Sequence, residues 1–450
     1  MLIKRFVLKY FVFCVLAFLF VACSSKEPLI EKEKSAKPLD VVQLITLPQD
    51  VSSYITNLQE RDISKLSARQ ENYTKYYFQI WNKTEPPETL ESVMWPFRVY
   101  KATETYGDNL RPLGQSFYDE MLEKSNFDAY GVLSKNGITT KYTNLRLFPT
   151  DRAVLRDPNV AGEGFPFDYL QNSSIAANKP LFISHYSKHK DWAFVFSSFA
   201  SGWIKVSDFA FLQKSHTDSI QRAQQIFLTH EGIPIYDEKQ NFLFQSRVGM
   251  SLPLIAEDEE SYTVLSIASY KAMEPFFLRS KIAKEHGHKD FMPFNKENME
   301  QIIREVSKTS YGWGGMYEQR DCSSMLRDAY IPFGIWLPRN SYQQSKVGDI
   351  FSLEGLSDEE KIEEIKQNAI PFETLLYKKG HIVLYVGIHD EEIVVFHNTW
   401  GIKTHKDGVD GRVVIGDTLF STLRLGENLP HYDKNGEILK NLKSMNIITR

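Results

Sequence analysis

The chain has 450 residues, of which 42% are hydrophobic, 13% aromatic and 24% charged. This length predicts about three domains, and the composition excludes a disordered, fibrous or coiled-coil protein. The 53 basic and 57 acidic residues give a formal net charge of -4, which argues against the nucleic-acid backbone as a partner.

Residues 1–22 have the pattern of an export signal. A basic start precedes an uncharged stretch, residues 10–22, that is short for a membrane span. The stretch ends in Phe20-Val21-Ala22-Cys23, which resembles a bacterial lipobox, so Cys23 is predicted to be lipidated. By resemblance to known sorting signals, Ser24 favours the periplasmic face of the outer membrane, with inner-membrane anchoring as an alternative. An uncleaved anchor is the other interpretation, and both attach the exported chain to a membrane.

The segment after the signal is predicted to begin with a flexible tether. Residues 23–50 are rich in charge and contain prolines without hydrophobic periodicity. Residues 51–134 are predicted to form a small, mostly helical N-terminal domain. A helix is expected over residues 113–123, where four apolar side chains share one face.

Short apolar runs separated by turn residues then predict two small all-β barrels, in residues 135–215 and 216–285. Residues 164–173, together with Gly202-Trp203-Ile204, resemble bacterial SH3-type domains that precede a cell-wall peptidase domain. From this resemblance we expect substrate contacts among the side chains of the first barrel. A structural turn and a packed tryptophan are the alternative interpretation. The residues expected to contact substrate are Asp168, Tyr169 and Trp203.

Cys322 is the only cysteine that remains once Cys14 and Cys23 are assigned to the leader and the lipobox. Helical spacing from Cys322 to Tyr330 predicts that the cysteine opens a helix, with Asp321 as its N-cap. The positive end of a helix favours a thiolate by roughly one pKa unit. We therefore interpret Cys322 as a nucleophile rather than as a buried structural cysteine.

Two later histidines are candidates for the base and its orienting partner, which a thiol nucleophile requires. His381 begins one apolar strand, and His397 ends the next. A hairpin with a loop of three or five residues would place them directly opposite each other on one face. If they faced opposite sides, Asn398 would be the next candidate for the orienting group.

Together these residues resemble the NlpC/P60 cysteine peptidases, whose fold is papain-like. The upstream modules extend the resemblance to the SH3-containing proteobacterial lipoproteins of this family, which implies an α+β multidomain chain with the peptidase in residues 286–450. The matching motifs are Tyr311-x-Trp313-Gly314-Gly315, Asp321-Cys322-Ser323, Leu337-Pro338-Arg339-Asn340-Ser341, Gly380-His381 and His397.

The resemblance implies hydrolysis of the bond between γ-D-glutamate and a diamino acid, meso-diaminopimelate, in peptidoglycan stem peptides or muropeptides. Cys322 would be the nucleophile, His381 the general base and later acid, and His397 the orienting group. Asp321 and Ser323 match positions that contact the D-glutamyl part, and Tyr311 matches a position beside the oxyanion. This chemistry requires neither a metal nor an organic cofactor.

Two other functions are compatible with the sequence. A non-catalytic wall-binding lipoprotein would use the SH3-like barrels alone, although such a binder has no need of an unpaired thiol. An acyltransferase would use the same thiol but pass the acyl group to an amine instead of water. The sequence does not predict an oligomeric state.

Overall fold

The computed structural model describes residues 46–59, 66–271 and 273–450. These residues belong to one compact unit that combines helices with several antiparallel sheets, which is the expected α+β class. The predicted signal peptide at residues 1–22 and the lipidation site at Cys23 lie outside the described residues. No helix in the described part is long and apolar enough to cross a lipid bilayer.

The segment predicted to form a helical N-terminal domain is helical. It begins with two short 3-10 turns, Val51–Ser53 and Ile55–Asn57. The α-helices that follow are α1 (Leu66–Phe78), α2 (Leu90–Val93), α3 (Trp95–Val99) and α4 (Gln115–Ser125). Each described hydrophobic cluster that contains side chains of this segment also contains side chains of another domain. The helices are therefore stabilised by packing against the β domains and the C-terminal domain.

The first β domain is a seven-stranded antiparallel sheet. Its strands are β1 (Lys135–Thr139), β2 (Thr143–Arg146), β3 (Gln171–Ile175), β4 (Pro180–Tyr186), β5 (Trp192–Phe196), β6 (Ser201–Lys205) and β7 (Phe209–Phe211). They lie in the order β3-β2-β6-β5-β4-β1-β7. Strand β3, at one edge of this sheet, faces the loop that precedes Cys322 and so brings the domain to the site.

Helix α5 (Lys214–Arg222) leads into the second β domain. Its strands are β8 (Gln225–Leu228), β9 (Pro234–Tyr236), β10 (Phe242–Gln245), β11 (Ser251–Glu257), β12 (Ser261–Ala268), β13 (Phe276–Ala283) and β14 (Gly287–Lys289). Five strands lie in the order β13-β12-β11-β8-β14, and β9 and β10 form a separate pair. Because β14 pairs with β8, this sheet extends beyond the predicted boundary at residue 285.

The C-terminal domain combines helices with a six-stranded antiparallel sheet in the order β15-β20-β16-β17-β18-β19. Its helices are α6 (Lys296–Val306), α7 (Cys322–Tyr330), α8 (Ser341–Gln344), α9 (Asp358–Asn368) and α10 (Ile438–Asn441). Its strands are β15 (Asp349–Ser352), β16 (Thr374–Lys378), β17 (His381–His389), β18 (Glu392–Lys406), β19 (Val409–Thr422) and β20 (Leu442–Ile447).

Helix α7 packs against the centre of this sheet. Met325 and Ala329, four residues apart on one helical face, lie in the same core as Leu384 and Phe396. This packing brings the first turn of α7 next to the beginning of β17. The fold therefore places Cys322 beside the strand that starts with His381.

Candidate active site

Cys322 is the first residue of helix α7, as the sequence predicts. The Asp321 carboxylate accepts the Ser324 backbone N–H at 2.8 Å, and the Ser324 hydroxyl accepts the Asp321 N–H at 2.9 Å. This reciprocal capping box fixes the start of the helix. The cysteine is 8% exposed, so only a narrow opening reaches the sulfur.

The thiol is harder to ionise than its place at a helix start predicts. Burial, followed by the Asp321 carboxylate, raises the pKa of Cys322 to about 12. The backbone N–H groups of Ile382 and Ser323 oppose this rise without outweighing it. The expected lowering of the thiol pKa is therefore wrong, because desolvation of the thiolate exceeds its stabilisation by the helix end.

The two histidines form a hydrogen-bonded relay. His381 Nε2 lies 2.8 Å from His397 Nδ1, and His397 Nε2 lies 2.9 Å from the Ser421 hydroxyl oxygen. The Ser421 hydroxyl oxygen also lies 2.9 Å from the Thr422 carbonyl oxygen; when its one proton is donated there, it accepts from His397. In the neutral relay His397 then accepts from His381, whose Nδ1 is left without a proton. The relay thus assigns the tautomer that a general base needs.

Both imidazoles are neutral in this environment. Burial, followed by the neighbouring His397 and Lys378, holds the pKa of His381 well below its ordinary value. Burial, followed by Lys378, lowers the pKa of His397 to about 3. The directions of these shifts favour an uncharged thiol and uncharged imidazoles over a thiolate–imidazolium pair.

The hairpin between the histidines differs from the predicted one. Strands β17 and β18 are joined by only two residues, Asp390 and Glu391, both in the left-handed region with φ of 48° and 68°. The predicted loop of three or five residues is therefore wrong. Near the turn Gly387 pairs with Val394, and this register, if continued, would turn His397 to the face opposite His381.

A β-bulge restores the common face. The register shifts by one residue between Tyr385 and Gly387, so that Leu384 pairs with Phe396. Continued from there, the register puts His397 opposite Val383 and diagonally across from His381. The two histidines therefore share a face, as predicted, but they are not directly opposite each other.

An N-terminal arm, residues 46–58, holds this hairpin from outside. Asn57 Nδ2 donates to the carbonyl of Val386 in the bulge at 3.1 Å. A Cβ added at Gly387 would lie 2.2 Å from Asn57 Nδ2, so this approach requires glycine. Gln49 exchanges two hydrogen bonds, of 2.9 and 3.0 Å, with the backbone of Phe420 beside Ser421. Gln49 is therefore fixed, although the sequence assigned it to the flexible tether.

Asp321 and Ser323, which the sequence predicts to contact substrate, are joined to Arg339. Arg339 binds the Asp321 carboxylate through both terminal nitrogens, at 3.1 and 2.7 Å, and donates to the Ser323 hydroxyl at 3.1 Å. It also donates to the Ser173 hydroxyl of the first β domain at 2.6 Å. Arg339 lies within one of the motifs that resemble the family, but the sequence predicted no role for it. Its place in that motif was the signal that could have identified it.

A second buried charge network lies behind α7 and was not predicted. Arg320, with a fully buried side chain, binds Glu231 of the second β domain and, at 2.9 Å, Asp328 of α7. Arg247, also from the second β domain, lies 3.6 Å from Asp328. The second β domain thus stabilises the nucleophile helix through ion pairs and contributes none of the predicted site residues.

The loop before Cys322 lies against strand β3 of the first β domain. Gly314 and Gly315 have φ of 57° and 83°, which glycine adopts without strain. A Cβ at Gly314 would lie 2.6 Å from the Gln171 carbonyl, and one at Gly315 would lie 2.1 Å from the Ser174 hydroxyl. Both glycines are therefore needed for this close approach.

Aromatic side chains from three parts of the chain form a wall beside the nucleophile. Phe167 of the first β domain lies 5.1 Å from Trp313 and 5.9 Å from Trp400, between ring centroids. Trp400 lies 5.8 Å from Tyr311. The Cys322 sulfur is among the groups that raise the pKa of Tyr311, after burial. Tyr311 is therefore close both to Trp400 and to the thiol.

The residues of the first β domain that were expected to touch substrate have different positions. Trp203 is 0% exposed and packs in a core, so substrate contact by Trp203 is excluded. Asp168 is 3% exposed and binds Arg146 at 2.6 Å; its carboxylate stabilises a loop, and that expectation is also corrected. Tyr169 is half-buried and donates to Glu163 at 2.8 Å. Tyr169 is near the wall, 5.8 Å from Trp313.

Within the described ranges, no group of three or more His, Cys, Asp or Glu side chains is arranged to hold a metal ion. The arrangement of these side chains suits thiol chemistry. It combines a sulfur at a helix start, an imidazole with a free Nδ1, and a second imidazole that orients the first.

Four family models match successive parts of the chain. They are the NLPC_P60 stabilising domain, N-terminal, at residues 12–130; an SH3 domain of the SH3b1 type at 153–205; an SH3 domain of the SH3b2 type at 217–259; and the NlpC/P60 family at 308–420. No curated protein matches the chain. The matched order is the one that the sequence motifs predict.

Two similar solved structures carry the NlpC/P60 name. An NlpC/P60 endopeptidase from Photobacterium damselae subsp. piscicida is 23% identical, with a TM-score of 0.78 over 90% of this chain and 98% of that one. An NlpC/P60 family protein from Bacillus cereus is 16% identical, with a TM-score of 0.47 over 70% of this chain and 100% of that one. The first of these shows that the fold of the described residues is shared. The chain therefore contains an N-terminal stabilising domain, two SH3 domains and a C-terminal NlpC/P60 domain, in that order.

Proposed function

We propose that this protein is a cysteine endopeptidase that cleaves the amide bond between γ-D-glutamate and a diamino acid in peptidoglycan stem peptides. The observation that carries the proposal is the relay from Ser421 through His397 to His381, which leaves His381 Nδ1 free to take a proton. Family members are typically cysteine peptidases that act on peptidoglycan. For this chain we propose the bond that is cleaved, the substrate and the roles of the individual residues.

The reaction begins when the Cys322 sulfur attacks the γ-carbonyl carbon and its proton passes to His381 Nδ1. The resulting oxyanion accepts hydrogen bonds from a backbone N–H at the start of α7 and from Tyr311. The new imidazolium then protonates the leaving amine, which leaves a γ-D-glutamyl thioester on Cys322. Water, deprotonated by His381, hydrolyses the thioester and restores the thiol.

A neutral resting site suits this sequence of steps. Because the thiol pKa is high and the histidine pKa values are low, the proton moves only when the sulfur attacks. His397 keeps the His381 ring in position through one hydrogen bond and carries no charge that would hold the proton on His381. Asp321 and Ser323, positioned by Arg339, are the proposed contacts to the D-glutamyl part.

We further propose that the mature protein is attached through a lipid on Cys23 to the periplasmic face of the outer membrane. The support is the lipobox-like Phe20-Val21-Ala22-Cys23 followed by Ser24. Residues 24–45 would then span the distance from the lipid to the described domains.

The test uses the purified mature protein and the tripeptide L-Ala-γ-D-Glu-meso-diaminopimelate. Mass spectrometry should detect L-Ala-D-Glu and free diaminopimelate, and Cys322→Ala should reduce their formation by at least about a thousandfold. Ser219→Ala, an exposed serine of helix α5 between the two β domains, serves as the control and should cleave at the wild-type rate. Cleavage by Cys322→Ala at the wild-type rate would exclude the thiol mechanism.

Acyl transfer is distinguished in the same experiment. With an added amino acid as acceptor, an acyltransferase would give a γ-D-glutamyl conjugate in place of free L-Ala-D-Glu. A pure wall-binding protein would give neither product but would still retain the peptide.

A further inference from the structure

The guanidinium of Arg412 lacks an acidic partner within the described part of the chain. Arg412 lies on β19 with its guanidinium 5.5 Å from the centroid of the Phe167 ring. Its Nε is buried and has no hydrogen-bond partner. The nearby carboxylate of Glu163 is used elsewhere, since it accepts from Tyr169 at 2.8 Å and lies 3.7 Å from Arg156.

The position of this guanidinium is tightly defined by backbone. A Cβ added at Gly162 would lie 2.0 Å from Arg412 Nη2, and Gly162 has a φ of 89°. On the other side, a Cβ added at Gly401 would lie 3.2 Å from Arg412 Cγ. The side chain is therefore enclosed between a loop of the first SH3 domain and the neighbouring strand β18. A side chain held in this way loses little conformational freedom when it binds a ligand.

Arg412 lies against Phe167, at one end of the aromatic wall. The wall continues from Phe167 through Trp400 to Tyr311, with centroid separations of 5.9 and 5.8 Å. The Tyr311 backbone N–H donates to the Gly416 carbonyl at 2.9 Å, and Gly416 lies on β19, the strand that carries Arg412. Arg412 is thus connected to the residue beside Cys322 through the aromatic wall and through its own strand, β19.

A second cation near the histidines also lacks an acidic partner. Lys378 is half-buried, and its ammonium donates to the Gly436 carbonyl at 2.9 Å. Among the described residues it makes no ion pair, whereas Arg339 is neutralised by Asp321. Arg412 and Lys378 are thus two cations without an ion pair among the described residues, and each would attract an anionic group of a substrate.

We propose that Arg412 is a specificity-determining residue that binds a carboxylate of the substrate through its planar guanidinium. This inference rests on the proposed stem-peptide substrate, in which the two candidate carboxylates are the α-carboxylate of D-glutamate and the side-chain carboxylate, on the D-centre, of meso-diaminopimelate. A guanidinium donates two parallel hydrogen bonds to a carboxylate, and a partly desolvated one gains most from such a partner. If Arg412 only packed on Phe167, its loss would weaken the binding of every peptide equally.

The experiment measures peptide binding by titration calorimetry in the Cys322→Ala background, so that the result does not depend on hydrolysis. Three peptides are compared: L-Ala-γ-D-Glu-meso-diaminopimelate, the same peptide with the glutamate α-carboxylate amidated, and the same peptide with L-lysine in place of diaminopimelate. Arg412→Met is the test variant. Arg279→Met, an exposed arginine of the second SH3 domain, is the control for loss of one charge.

Arg412→Met should weaken binding of the full peptide by about 10- to 100-fold. The substitution should have little effect on the binding of the one peptide that lacks the recognised carboxylate. If this is the amidated peptide, the carboxylate belongs to glutamate; if it is the lysine peptide, the carboxylate belongs to diaminopimelate. Equal losses for all three peptides, no loss for any, or no measurable binding of the full peptide to the Cys322→Ala protein would each overturn the assignment.

Hydrolysis by the wild-type protein is measured separately on the same three peptides. Carboxylate-dependent binding without cleavage would leave the Arg412 assignment intact and reject the proposed peptidase activity. Cleavage without carboxylate-dependent binding would do the reverse.

Discussion

The nucleophile side and the histidine side of the candidate active site are held by different kinds of interaction. On the nucleophile side, Asp321 and Arg320 lie in buried ion-pair networks that reach both SH3 domains. On the histidine side, His381 and His397 are held by uncharged hydrogen bonds, and the N-terminal arm supports them from outside. Fixed charges position the helix, while the two imidazoles make their hydrogen bonds to each other and to a hydroxyl rather than to a carboxylate. A carboxylate beside His381 would stabilise the imidazolium and raise its pKa.

The largest expected effect comes from breaking the ion pairs behind the nucleophile. Arg320→Met leaves Glu231 and Asp328 buried without this partner, and it should lower the free energy of unfolding by about 3–5 kcal/mol. Urea denaturation followed by circular dichroism measures this change. Arg304→Met removes exposed ion pairs and should cost no more than about 1 kcal/mol. Similar losses for the two variants would mean that the buried network behind the nucleophile contributes no more than exposed ion pairs do.

The protonation state of the thiol gives the next test. With a pKa near 12, the thiolate fraction, and so the rate of alkylation by iodoacetamide, should rise about tenfold per pH unit between pH 7 and 10. A Cys23→Ser form of the mature protein makes Cys322 the only thiol. A rate that is already constant from neutral pH upward would mean that a thiolate–imidazolium pair exists before substrate binds.

Asn57 tests whether the N-terminal arm positions the histidines. Asn57→Ala removes the donor to the Val386 carbonyl in the bulge, and kcat should fall about tenfold with KM nearly unchanged, since His381 loses its fixed position. Asn172→Ala, which removes a similar side-chain donor to the Ser201 carbonyl, is the matched control. If both variants retain full kcat, the bulge does not depend on the arm.

Ser421 tests the tautomer assigned by the relay. In Ser421→Ala the His397 Nε2 loses its acceptor, so the opposite tautomer, which places a proton on His381 Nδ1, is no longer disfavoured. We expect kcat to fall about three- to tenfold, with KM unchanged. Nitrogen-15 NMR of the two imidazoles should show the change of tautomer directly. An unaltered tautomer in Ser421→Ala would mean that Ser421 does not select it.

The parts of the site that follow from local sequence could be predicted. Asp321 is a good N-cap, and the spacing after Cys322 is helical, so the position of the nucleophile at a helix start could be predicted from the sequence. The alternation of side chains along strands suggested that His381 and His397 share a face. These inferences use only neighbours in the chain.

The parts that depend on distant segments could not be predicted. The bulge that sets the face of His397 is held by Asn57, which lies 329 residues from Val386 in the sequence. The high thiol pKa results from burial by several domains, and Trp203 could equally have faced solvent, because nothing in its local sequence specifies the buried side of its strand. Arg339 and Arg320 also bind Ser173 and Glu231 of the SH3 domains, and these partners lie far from them in the sequence.

The glycine loop before Cys322 has a consequence for how this protein can be rearranged. Gly314 and Gly315 leave no space between the NlpC/P60 domain and strand β3, so the surface of each domain there is shaped by the other. A chimera that joins this NlpC/P60 domain to an unrelated wall-binding module would expose a left-handed glycine loop with nothing against it. Exchange between homologues should therefore succeed only when the first SH3 domain and the NlpC/P60 domain are transferred together.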